Sequence, residues 1–155
     1  MKFIIPYFLF LTYFIWYINV YSPYLEDCIK SVLDADFDGV KEIIIVDDWS
    51  TDNSYKKVAS LNNEKIHLVK NKKKGACSAR NYAFELANSD YIQYLDADDL
   101  INPEKLENQL KILTKKEDSI SYGLWARFIN NINNEKIKLL ETHSEWLIMN
   151  FLIIH

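Results

Sequence analysis

Two apolar runs in this chain pass without a spacer into clusters of aspartate, and that junction restricts the fold more than any other feature. Lys41-Glu-Ile-Ile-Ile-Val46 leads into Asp47-Asp48, and Tyr91-Ile-Gln-Tyr-Leu95 leads into Asp96-Ala97-Asp98-Asp99. The first is a short, unbroken apolar run, which suits a strand buried on both faces, as in a parallel sheet covered by helices. Parallel neighbours need crossovers, and helical patterns follow each run. Beyond Asp48 comes a turn dense in capping residues, then a helix through Tyr55, Val58 and Ala59. Ile66–Val69 reads as a third strand, followed by the loop Asn71-Lys-Lys-Lys-Gly75. Ala76, Ala79, Ala83, Leu86 and Ala87 mark a small-faced helix able to approach a sheet closely. Pro103 opens another helix at its favoured first position, with Asn102 as cap and Leu106, Leu110 and Leu113 on its apolar face. The expected class is α/β, a mainly parallel sheet with helices on both faces.

The beginning of the chain carries two readings. Phe3–Tyr21 is nineteen residues without a charge, close to the roughly 20 that span a bilayer. Against an anchor stands Phe14-Ile-Trp-Tyr-Ile-Asn-Val-Tyr21, β-branched and aromatic, closed by Ser22-Pro23. A helix follows at once, with Leu25, Cys28, Ile29, Val32 and Leu33 at helical spacing and Glu26 and Asp27 in its first turn. Strand, turn and helix is how an α/β unit opens, so the balance favours a strand over 14–21 behind an apolar leader at 1–13. The main domain then covers 14–129. Strands are expected within Ser119–Phe128 and Lys136–Leu140. The segment 130–155 ends in Trp146–His155, an apolar stretch that needs a partner surface and reads as cut off, a C-terminal truncation.

Composition removes several classes. Hydrophobic residues at 49% exclude intrinsic disorder, and three Gly and three Pro exclude collagen-like sequence. A net charge of −4 argues against a nucleic-acid binder held by phosphate contacts. Cys28 and Cys77 are too few for a disulfide scaffold and suit a reducing compartment. No small-residue cleavage site follows the apolar start. The expected location is therefore cytoplasmic, with residues 1–21 as the segment that could tether the chain to the inner face of a membrane.

In open parallel sheets, ligands bind beyond the carboxyl ends of the strands, which is where both acidic clusters fall. Five carboxylates there repel one another unless a cation compensates, and a hard divalent ion completed by water and phosphate oxygens does so. Arg80 and Lys72–Lys74 on a neighbouring loop and helix start suit a phosphate. Together these describe a site for a phosphorylated ligand. Plainer readings stand beside it: Asp47-Asp48, Ser50 or Asp52 as helix caps, the lysines as a solvated loop, and Asp96-x-Asp98 as a turn. No zinc site is readable from His67, His143 or His155.

Four segments in order resemble family 2 glycosyltransferases of the GT-A, Rossmann-like fold. They are Tyr24–Leu33, Glu42–Ser54 with its acidic pair, Gly75-Ala-Cys-Ser-Ala-Arg-Asn81, and Tyr91–Asp99. The resemblance covers about residues 14–129 and implies a nucleotide-diphosphate sugar as donor. It assigns Asp48 to the nucleotide base with Asp47 supporting, Asp96 to the ribose, Arg80 to the diphosphate, and Asp98 to Mn2+ or Mg2+. Ile18-Asn19-Val20-Tyr21-Ser22 fits the family's first strand end, so Tyr21 inherits the stacking role and Asn19 a place beside it. Asn19 stands where the family has Pro, and Ser22 where it has Asn.

The reaction implied is inverting transfer to the hydroxyl of a glycan or lipid-linked acceptor. Its general base is an Asp or Glu in the acceptor half, and Glu135, Glu141 and Glu145 lack that motif's context. The alternative is a catalytically inactive fragment that only binds nucleotide. A phosphorylation-receiver domain wants its acidic pair after the first strand and an Asp after the third, and a phosphatase with a nucleophilic Asp wants its acidic motif on the first strand; here the clusters follow the second and fourth.

Overall fold

The computed structural model describes residues 11–18, 24–35, 40–113 and 152–154. Strand β1 is Leu11–Ile18, helix α1 Leu25–Leu33, β2 Val40–Asp47, α2 Ser54–Ser60 and β3 Ile66–Lys70. Helix α3 follows at Ala76–Leu86, β4 at Tyr91–Asp96, α4 at Pro103–Leu113 and β5 at Leu152–Ile154. The first strand thus begins three residues before Phe14, and the expected leader contributes Leu11–Tyr13 to the sheet. Nothing in an evenly apolar stretch punctuates that boundary. Residues 19–21, and the strands expected within 119–140, lie outside the described residues. No helix among the described residues is long and apolar enough to cross a membrane.

The sheet runs β3-β2-β1-β4-β5. The first four strands are mutually parallel, and β5 pairs antiparallel with β4 at Tyr91↔Ile154. Part of the apolar tail therefore finds its partner at the sheet edge. The chain steps outward from β1 through β2 to β3, then crosses back by α3 to the far side of β1. Strand order reverses at β1, the switch point where such sheets open a crevice.

The unbroken apolar run of β2 is explained by two cores. Ile43 and Ile45 face Leu25, Cys28, Ile29 and Val32 of α1, Val58 of α2, and the leucines of α4. Ile44 and Val46 face Ala79 and Ala83 of α3, together with Ile92 of β4. Both alanines are fully buried, so the small face of α3 lets its backbone lie close to the sheet. Leu106 and Leu110 are fully buried under the opposite face, where truncating either to Ala typically costs about 2–5 kcal/mol. Asn102 caps α4 as expected, its Oδ1 accepting the Glu104 N–H at 2.9 Å.

Candidate nucleotide-sugar site

The carboxyl ends of β2 and β4 flank the end of β1. Asp47 is in register with Ile18, and Asp96 with Trp16. Two strand spacings separate them, about 10 Å at the backbone. The two acidic clusters therefore lie on either side of the β1 end at one edge of the sheet, where such sheets bind ligands. Among the described residues no three His, Cys, Asp or Glu side chains gather as a metal cage. The five aspartates are two separate groups.

At the β2 end both carboxylates are internal. Asp47 is 2% exposed, and its Oδ1 accepts the N–H of Ser50 at 3.3 Å and the Ser50 hydroxyl. Asp48 is completely buried. Its Oδ1 accepts Asn71 Nδ2 at 2.6 Å and the Gly75 N–H at 2.9 Å, and its Oδ2 shares that N–H at 3.0 Å. Of the residues offered as caps for this turn, Asp52 bonds the start of α2 from just before the Asn53 cap position, its Oδ1 accepting the Ser54 N–H at 2.9 Å. That bond holds the Asp52 carboxyl below its usual range. Between the pair and Ser50, Trp49 takes a left-handed backbone (φ +63°) and is 59% exposed. A bulky residue is rarely found in that conformation.

The β4 end has the opposite character. Burial raises the Asp96 carboxyl, with Arg80 opposing the shift and Asp98 adding to it. Asp99 is pushed up to about 6 by burial, then by Asp96 and Asp98. Asp98 is exposed at the tip of the turn, and the Asp99 N–H closes that turn on the Asp96 carbonyl at 3.1 Å. Helix α1 supplies the floor. The buried Cys28 thiol donates to the Asp96 carbonyl at 3.4 Å, and burial and the three aspartates push that thiol far up. Ser31 Oγ accepts the Ile101 N–H at 3.1 Å, tying the same helix to the segment beyond the turn.

Arg80 is exposed on α3 and close enough to act electrostatically on both Tyr94 and Asp96. The lysine run is placed differently. Lys72 pairs with Glu85 at 3.2 Å and lies 4.1 Å over the Tyr82 ring. With Lys73, Lys74 and Cys77 it lines an open depression of about 590 Å3 on the outer face of α3, which none of the five aspartates borders. Sequence reading found the aspartates and Arg80. It missed Asn71, Cys28 and Ser31, whose bonds span long sequence separations, and no local pattern marks them. Asn19 and Tyr21 lie outside the described residues.

Comparison with known proteins gives the same reading of the fold. The chain matches the family model "Glycosyl transferase family 2" over residues 14–154. It is 39% identical over 106 residues to the putative teichuronic acid biosynthesis glycosyltransferase TuaG of Bacillus subtilis, covering 64% of this chain and 40% of that one. It is 37% identical over 91 residues to the Escherichia coli UDP-Glc:alpha-D-GlcNAc-diphosphoundecaprenol beta-1,3-glucosyltransferase WfgD, covering 58% and 36%. The chain thus spans less than half the length of these relatives. The crystal structure of S. aureus TarS 1-349 superimposes with a TM-score of 0.70 at 20% identity, over 94% of this chain and 47% of that one. The same TarS fragment has been solved in complex with UDP-GlcNAc. A parallel sheet reversing at β1, acidic turns beyond β2 and β4, and a family match over nearly the whole length make this chain a member of glycosyl transferase family 2 with the GT-A fold.

Proposed function

We propose that this chain binds a nucleotide-diphosphate sugar with a divalent cation and forms the donor half of an inverting glycosyl transfer to a glycan or lipid-linked hydroxyl. One observation carries the reading: Asp47 and Asp96 flank the end of β1 at the switch point, with Arg80 acting on Asp96. Asp96 is the group for the ribose and Arg80 for the diphosphate. Asp47, whose Oδ1 accepts from Ser50 within its own turn, is better suited to the base than Asp48, whose carboxylate bonds the Asn71 amide and the Gly75 N–H. Tyr21, just beyond β1 in sequence, is the proposed stacking residue, with Asn19 beside it.

The β4 turn fits a hard cation. Asp98 is exposed, and it raises the carboxyls of Asp96 and Asp99, a repulsion that a divalent ion would relieve. Mn2+ or Mg2+ held by Asp98, with water and phosphate oxygens completing its shell, would stabilise charge on the departing diphosphate. Arg80 opposes the same charge from the protein side. The relatives support the substrate classes: a TarS fragment was crystallised with UDP-GlcNAc, and WfgD is named for UDP-Glc and a diphosphoundecaprenol acceptor. Work on such acceptors at the cytoplasmic face of a membrane is the corresponding location.

A second reading is nucleotide binding without transfer. Incubation with nucleotide-diphosphate sugars and Mn2+ separates the two. Release of nucleoside diphosphate that Asp98→Ala abolishes supports the transferase. Tight nucleotide binding without release supports the binding module, and neither would defeat both.

A further inference from the structure

The Asp48 carboxylate and Asn71 together make a closed set of buried bonds. Asn71 is 3% exposed. Its Nδ2 donates to Asp48 Oδ1 at 2.6 Å and to the Gly75 carbonyl at 3.3 Å. Its Oδ1 accepts the Ser78 hydroxyl at 3.2 Å and the Lys73 N–H at 3.5 Å. Its backbone N–H extends the β2–β3 pairing onto the Asp47 carbonyl at 2.8 Å. Gly75, whose N–H both Asp48 oxygens share, precedes α3 at φ +126°, a conformation side-chain-bearing residues rarely adopt. The Gly75 carbonyl then accepts the Ala79 N–H at 3.0 Å and starts the helix that carries Arg80.

We infer that Asp48 is a positioning residue: its carboxylate clamps the loop 71–75 to the end of β2 and so fixes the amino end of α3 and the placement of Arg80. This rests on the donor-site reading for its functional consequence, though not for the clamp itself. Ala79 and Ala83 fix how closely α3 lies on the sheet. Small side chains resist sliding poorly, and the clamp at Gly75 supplies the missing restraint. Asp48 and Gly75 are 27 residues apart, so the bond joins two landmarks of the sequence that no local turn connects.

The loop carries its own reporter, because Lys72, Lys73 and Lys74 are all exposed and each is a trypsin site. The test compares the full chain with Asp48→Asn, Asn71→Asp and the double swap. Tryptic cleavage after residues 72–74 and affinity for a nucleoside diphosphate in Mn2+ are both measured. Each single substitution sets like groups against each other, two amides or two carboxylates. The swap restores one amide and one carboxylate. The clamp predicts cleavage faster by about tenfold or more in each single variant, affinity weaker by about 10–100-fold as for other outer-shell partners, and recovery of both in the swap. Cleavage unchanged in Asp48→Asn, with affinity lost and not recovered in the swap, would overturn it and return Asp48 to direct contact with the base. If the single variants do not fold, Ser78→Ala removes one outer bond of the set and must raise cleavage in the same direction. A wild-type chain that binds no nucleoside diphosphate defeats the donor-site reading, while the cleavage pattern still decides the clamp.

Discussion

The two acidic turns at the ends of β2 and β4 look alike in sequence and do opposite things. At β2 the carboxylates are answered from within: Asp48 by Asn71 and Gly75, Asp47 in part by Ser50. At β4 they are set against one another, with Asp99 raised by burial, Asp96 and Asp98, and Asp98 left at the surface. A carboxylate supplied with donors holds structure together. Carboxylates that repel store a preference for a cation the protein does not itself supply. The difference lies in what the fold brings to each turn, a polar loop in one case and the thiol-bearing face of α1 in the other.

The largest effect that would break this contrast is on stability. Asp48→Ala strands the Asn71 amide and the Gly75 N–H in a buried site, and urea denaturation is expected to show a loss of about 2–5 kcal/mol. Asp98→Ala at the exposed turn is expected to stay within about 0.5 kcal/mol of wild type. Equal losses in the two variants would erase the distinction.

A middle-sized effect concerns pH. Asp99 sits at about 6 against an ordinary value of 3.8. Its native state prefers the proton, so the cost of its charge is absent below about pH 4, grows between pH 4 and 6, and is complete above. Thermal melts are expected to show this contribution easing as pH falls from 7 to 5, and Asp99→Asn to remove it. Mn2+ is expected to raise Tm more at pH 7 than at pH 5. Asp52 near the β2 end has a lowered carboxyl, so its contribution is present above the ordinary value and lost only as pH falls through the lower one. A single acid transition below pH 4, with nothing between 4 and 6, would contradict the contrast.

Much of the fold was legible in the sequence, and the exceptions have physical causes. An unbroken apolar run marked β2 because both faces of that strand are covered, and alanine spacing marked α3 because close packing needs small residues. The start of β1 was not legible, because Leu11–Tyr13 are as apolar and aromatic as the residues on either side and carry no turn signal. The aspartates of the site could be found by their position at strand ends. Their division of labour could not, since a carboxylate has the same letter whether it meets a ligand or the N–H of a residue 27 positions away.

The smallest effect sharpens the picture of the β2 turn. Trp49 holds a left-handed backbone that costs a side-chain-bearing residue about 1–2 kcal/mol, while glycine loses about 0.5–1 kcal/mol more entropy on folding. Trp49→Gly is therefore expected to stabilise the chain by less than about 1 kcal/mol in denaturant titration. A loss would show that the exposed indole packs against something that matters.

The most direct test of the central claim is calorimetric titration of nucleoside diphosphates into the full chain and Asp98→Ala, with and without Mn2+. The account predicts metal-dependent binding to the wild type and its loss, on the order of 100-fold or more, in the folded variant. Metal-independent binding, or equal binding by both chains, would contradict the assignment of the β4 turn to a cation and a diphosphate.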